Sequence, residues 1–199
     1  MNRKILIILL LILPVEAVAQ NPDIRILRAI YSPETLPSDR FFRFVSNSNT
    51  YFITGVPAGM MIAGVAKNDK ELIDNAIASI GAAVVNLGIT AALKYTVNRA
   101  RPFEKYPDII KKTNAGSPSF PSGHTSGAFA AATSISLVYP KWYVIAPSFA
   151  YAGLVAYSRM DLGVHYPSDV VAGAVIGAGC AFLTFKISEI LLKKQGKGL

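Results

Sequence analysis

Two histidines and a handful of cations set the limits of the acid–base and nucleophilic chemistry open to this 199-residue chain. His124 lies in the run Pro118-Ser119-Phe120-Pro121-Ser122-Gly123-His124-Thr125-Ser126. There proline and glycine fix the backbone just before a helical pattern begins. Free amides at such a helix start, with a hydroxyl beside them, suit an anion, although the same run would also serve as an ordinary capped start with an exposed His. His165 lies in a second run with Ser158 and Arg159 before it and Asp169 four residues after it. An i,i+4 His/Asp pair sharing a helical face lets the carboxylate hold one ring nitrogen and leaves the other free to attack; Asp169 could equally cap the following helix. A third run carries Lys94, Arg99, Arg101 and Pro102. The i,i+7 spacing of Lys94 and Arg101 would put both on one helical face and point them into one pocket, or leave them to snorkel at a membrane boundary. Three cations, a cradle of amides, two imidazoles and an orienting carboxylate are the equipment for metal-free phosphoryl transfer. Cations neutralise the phosphoryl oxygens, one imidazole attacks, and the other protonates the leaving oxygen.

These runs need a scaffold, and the composition describes one. Hydrophobic residues make up 52% of the chain and charged residues only 16%, against about a quarter in soluble domains. Apolar segments cover residues 51–66, 72–93, 125–139, 142–157 and 170–192, rich in Gly, Ala and Ser and apolar nearly all round. Small residues such as Gly173, Gly177 and Gly179 permit close helix contacts, and no alternating pattern marks a sheet. The expected fold is all-α: a bundle of five to six apolar helices, membrane-spanning once flanking Tyr, Trp, Lys and Arg are counted, with the three runs at their outer ends. The apolar cores alone are short enough to keep a soluble bundle in play.

Residues 1–19 have a basic start, a short apolar run and Ala17-Val18-Ala19 before Gln20, the pattern of a signal peptide; an uncleaved first membrane helix is the alternative. Residues 20–50 form an amphipathic segment, with Ile24, Ile26, Leu27 and Ile30 on one side of a short helix. The bundle domain occupies 51–192 and a basic tail 193–199. With the mature start outside, Lys67, Lys70, Lys141 and the tail lie inside, as the positive-inside tendency requires.

The formal charge of +8 suits anionic partners, but the basic residues form no stripe for nucleic acid. The single cysteine, Cys180, sits in an apolar run and reads as a small core hydrophobe. A transporter or scaffold would place its charges in mid-span, whereas here they cluster at segment ends.

The three runs resemble the type 2 phosphatidic acid phosphatase family, which also includes class A acid phosphatases and vanadium haloperoxidases. The family pattern is matched by Lys94…Arg101-Pro102, Pro121-Ser122-Gly123-His124 and Ser158-Arg159…His165…Asp169, eleven fixed positions with their internal spacings intact. The resemblance covers residues 40–192. It implies His165 as a nucleophile forming a phosphohistidine, Asp169 as its orienting group and His124 as general acid. It further implies Lys94, Arg101, Ser122, the Gly123 amide and Arg159 as phosphate ligands, with no metal or other cofactor. Arg99 and Asp161 fall outside the pattern, and Arg99 reads as solvated. The implied protein is a membrane lipid phosphatase with its site facing the periplasm or exterior. Candidate substrates are phosphatidate, phosphatidylglycerol phosphate, undecaprenyl diphosphate or a lipid A phosphate. A soluble secreted acid phosphatase is the alternative, and vanadate-dependent halide oxidation a third possibility. Oligomeric state leaves no trace in the sequence.

Overall fold

In the computed structural model, residues 15–194 and Gly196 are described, with side chains from Pro22 onward. The greater part of the signal-peptide segment, residues 1–14, lies outside them, as do Gln195 and residues 197–199 of the basic tail. The described residues form seven helices and no strand: α1 (Val15–Ile30), α2 (Ser38–Lys67), α3 (Lys70–Val97), the single turn α4 (Pro102–Lys105), α5 (Gly123–Val138), α6 (Trp142–Asp161) and α7 (Pro167–Lys194).

The helices begin and end where local chemistry requires. Asn68 takes a left-handed conformation at the end of α2 and returns its N–H to the last turn. The next residue, Asp69, accepts from Leu72 N at 3.0 Å and caps α3. That two-residue link turns α2 and α3 into antiparallel neighbours. α2 begins well before the apolar stretch at residue 51, so the basic-aromatic run Arg40 to Phe44 is its first turns, with Phe41 and Phe44 facing outward.

α5 is the central element, packed against α7, α6, α3 and α2. Its inward residues are small: Gly127, Ala128, Ala131 and Ala132 are buried. Gly173 and Gly177 of α7 meet it backbone to backbone. A Cβ at Gly177 would stand 2.0 Å from the Ser126 carbonyl oxygen, and one at Gly173 2.7 Å from that of Ser122. Cys180 is buried on the same helix.

Large apolar side chains point the other way. Ile62 on α2, Val84 and Leu87 on α3, and Val175, Phe182 and Leu183 on α7 are all exposed. α3 and α7 are each long and apolar enough to cross a membrane, and their most apolar stretches are only 33% and 28% buried in protein. A soluble core helix would be mostly covered; these two carry their apolar surface outward. Polar residues instead line the interior, where Asn86 donates to Ser126 Oγ at 3.3 Å and Thr90 and Ser126 share a hydrogen at 3.2 Å.

α1 corrects the helical-wheel reading in part. Ile24 and Leu27 are buried beside Tyr31, Ile109 and Tyr166, but Ile26 is half exposed. The buried face includes Asp23, which the apolar spacing did not suggest.

Candidate active site

The three sequence runs converge at one end of the bundle, at the C-terminal ends of α3 and α6 and the N-terminal ends of α5 and α7. Backbone hydrogen bonds lock the connections. Ser119 N donates to Arg99 O at 2.8 Å, and Ser122 N donates to Asp169 O at 3.0 Å.

Lys94 occupies the last turn of α3. Its Nζ donates to Pro118 O at 2.6 Å, and its Cε passes 3.9 Å from where a Cβ on Gly123 would stand. Lys94 and Arg101 do not share a helical face: α3 ends at Val97 because Asn98 adopts φ 48°. Arg101 reaches the site from the N-cap of α4, ahead of Pro102. Its Nε donates to Ser117 O at 2.8 Å and its Nη1 to Val164 O at 2.7 Å, and the side chain is buried. Arg159, 2% exposed, donates through Nη1 to Ser46 Oγ of α2; its Nε is buried with no partner among the described residues.

Ser122 is the N-cap of α5. Its Oγ accepts from Thr125 N at 3.4 Å and from Thr125 Oγ1 at 2.9 Å. The amides of Gly123 and His124 follow in the first turn, free of the intrahelical pattern. The His124 carbonyl is held by Asn49 Nδ2 of α2 at 2.9 Å.

His165 precedes α7 rather than lying on it, so the His/Asp pair does not share a helical face. Gly163, at φ +71°, turns the chain after α6, and both Val164 N and His165 N return to Arg159 O at 3.2 Å. Asp169 sits in the first turn of α7, and its Oδ2 accepts from Tyr166 N at 3.0 Å, Ser119 Oγ at 2.5 Å and His165 Nδ1 at 3.3 Å. Capping and orientation are thus one function of one carboxylate. With Nδ1 facing that carboxylate, the ring proton belongs there and Nε2 presents a lone pair. Burial pushes the His165 imidazole down to about 3, against the opposing pull of Asp169, so it is neutral over the physiological range.

Arg99 is not solvated. Its Nη1 donates to Asp169 Oδ1 at 2.6 Å and to Ser168 Oγ at 2.7 Å, its Nη2 donates to Asp23 Oδ2 at 2.8 Å, and its guanidinium lies 4.0 Å from the centroid of the Tyr166 ring. Sequence reasoning also passed over Ser46, Asn49, Ser119 and Asp23. Ser119 stood inside a quoted run; Ser46, Asn49 and Asp23 have no local signal.

The charges sort into two groups. Arg99 is paired with two carboxylates. Lys94, Arg101 and Arg159 form no ion pair among the described residues; each donates to neutral oxygens, and Arg101 Nη1 also lies 3.3 Å from His165 Nε2. They nonetheless feel one another's charge, and His124 feels all three. Among the described residues no three His, Cys, Asp or Glu side chains are grouped to hold a metal ion. Three cations thus lie within electrostatic reach of the His124 imidazole, and one of them, Arg101, touches Nε2 of His165.

The sequence profile of the PAP2 superfamily matches residues 75–192, and the chain belongs to that superfamily. It is 34% identical over 107 residues to an undecaprenyl-diphosphatase of Sulfolobus acidocaldarius, covering 53% of this chain and 52% of that one. It is 40% identical over 109 residues to a lipid A 1-phosphatase of Rhizobium johnstonii, covering 51% and 43%. The chain therefore spans about half the length of these curated relatives. The crystal structure of a transmembrane PAP2-type phosphatidylglycerolphosphate phosphatase from Bacillus subtilis superposes with a TM-score of 0.70 over 94% of each chain at 23% identity, a likeness of fold.

Proposed function

We propose that this protein is a membrane-embedded lipid phosphatase that releases phosphate from an ester or anhydride through a phosphohistidine on His165. The observation that carries the reading is the cluster of Lys94, Arg101 and Arg159, none of them in an ion pair among the described residues, with Arg101 Nη1 3.3 Å from Nε2 of His165. Cations gathered in a partly buried site repel one another, and a phosphoryl group offsets that repulsion.

In the reaction His165 Nε2 attacks phosphorus while the three cations and the first amides of α5 take the phosphoryl oxygens. The bond to the leaving oxygen breaks, and His124, which takes up a proton once the bound phosphoryl group offsets the three neighbouring cations, gives that proton to the leaving oxygen. Asp169 balances the positive charge that forms on the His165 ring. Water, deprotonated by His124, then attacks the phosphohistidine and frees inorganic phosphate.

The outward apolar faces of α3 and α7 support a membrane location, and they do not favour a water-soluble acid phosphatase. The α2–α3 link, with Lys67 and Lys70, lies at the opposite end of the bundle from the site, which supports a site facing away from the cytoplasm. The names of the relatives share one chemistry, a phosphate or diphosphate on a lipid. Phosphate release by the purified protein is expected from members of a panel of lipid phosphates and diphosphates, with little from a water-soluble alkyl monoester. Preference for the soluble ester, together with release of the protein from membranes by alkaline carbonate, would refute the reading.

A further inference from the structure

α1 brings to the site a carboxylate that belongs to none of the three runs. Asp23, 5% exposed, accepts from Arg99 Nη2 at 2.8 Å, from Ser168 N at 2.9 Å and from the Ser168 hydroxyl. Arg99 therefore bridges two carboxylates, and only one of them, Asp169, touches His165. Arg99 and His165 compete for that group: the guanidinium lies 2.6 Å from Oδ1, the imidazole 3.3 Å from Oδ2. With Asp23 in place, the charge of Arg99 is shared. Without it, the whole charge falls on Asp169, which then has less negative potential to offer the imidazolium formed on attack.

We propose that Asp23 is a positioning residue for the nucleophile: it holds the far side of the Arg99 guanidinium and the first turn of α7, and so leaves Asp169 available to His165. The inference rests on the phosphatase reading above. α1 has further anchors besides Asp23: Ile24, Leu27 and Tyr31 pack against Ile109 and Tyr166, and Arg28 pairs with Asp108 at 2.8 Å.

The test uses the full chain in detergent with an activated aryl phosphate, measuring rapid phosphoenzyme formation and the pH profile of kcat. Asp23→Asn is expected to slow phosphoenzyme formation at least tenfold with KM within twofold. It should also move the acid limb of kcat to lower pH, since loss of a nearby negative charge makes imidazole protonation harder. Asp23→Glu keeps the wild-type acid limb and recovers most of the rate. Arg28→Gln, which releases only the outer anchor of α1, stays within twofold of wild type. Adding Arg99→Gln to Asp23→Asn costs no further rate, because the unshared charge has gone. An unchanged rate and acid limb in Asp23→Asn, an equal loss in Arg28→Gln, the same displaced limb in Asp23→Glu, or an additive loss in the double variant would each overturn the proposal. If the wild type itself releases no phosphate from aryl or lipid esters, the phosphatase reading fails; an active wild type indifferent to Asp23 sinks this inference alone.

Discussion

Arg101 Nη1 stands 3.3 Å from Nε2 of His165 while donating to Val164 O, the carbonyl just before that histidine. One guanidinium thus faces the attacking nitrogen and also braces the backbone that carries it. It cannot hydrogen-bond strongly to the Nε2 lone pair and also leave it open, so on the proposed mechanism an incoming phosphoryl group replaces this contact with one of its own.

That double duty makes Arg101→Lys a severe change. Lysine keeps the charge but cannot bond Ser117 O, Val164 O and a phosphoryl oxygen together. A loss of about 100-fold in kcat/KM is expected, from a group whose charge-assisted hydrogen bonds are worth about 1.5–3 kcal/mol each. Inhibition by free phosphate should weaken in parallel, and competition assays read both effects.

His165→Ala should reduce phosphate release by at least about 1,000-fold and leave no acid-labile phosphoenzyme, while the protein still accumulates in membranes. His124→Ala should lose about 100-fold or more on alkyl or lipid phosphates and far less on activated aryl phosphates, whose leaving oxygens need no proton. Equal losses on both substrate classes would remove His124 from the acid role.

The neutral His165 has a consequence for stability. Its imidazole lies at about 3 in the folded chain against 6.5 when unfolded. A depressed folded value contributes stability that is fully present above 6.5 and is lost as pH falls toward 3. At pH 5 the loss amounts to about 2 kcal/mol. Thermal melts in detergent should therefore fall between pH 7 and 5 more steeply for wild type than for His165→Asn. Parallel curves would mean the folded imidazole is already protonated at pH 5.

Gly177→Ala places a methyl 2.0 Å from the Ser126 carbonyl oxygen, against backbone that cannot step aside. A destabilisation of about 1–3 kcal/mol or more is expected, visible as a lower Tm. Gly179→Ala, two residues on, meets nothing within 4 Å and should raise the Tm slightly, by the roughly 0.5–1 kcal/mol that alanine gains over glycine inside a helix.

The residue types of the site were legible in the sequence because phosphoryl chemistry needs charges and imidazoles, and an apolar chain has few to spare. Lys94, Arg101, Ser122, Gly123, His124, Arg159, His165 and Asp169 all gather at one end of the bundle. How they gather was not legible. Spacing suggested shared helical faces for Lys94/Arg101 and His165/Asp169, but Asn98 and Gly163 take left-handed conformations and turn the chain between helices. Arg99 looked solvated because its partners are 76 and 70 residues away, at Asp23 and Asp169. No local pattern encodes a contact of that range. The apolar segments fixed the helix order correctly, yet they understated α2, whose first turns are polar enough to resemble a separate segment.

The bridge from Asp23 through Arg99 to Asp169 joins the first described helix to the last. A chain made and inserted from its N-terminus holds Asp23 and Arg99 long before α7 is synthesised. Throughout that interval there is no His165 and no Asp169, and the far end of the bridge is missing. The bridge is completed late and all at once, with the last helix. On the proposed mechanism, fragments ending before residue 165, whether from stalled synthesis or from proteolysis, lack the nucleophile altogether.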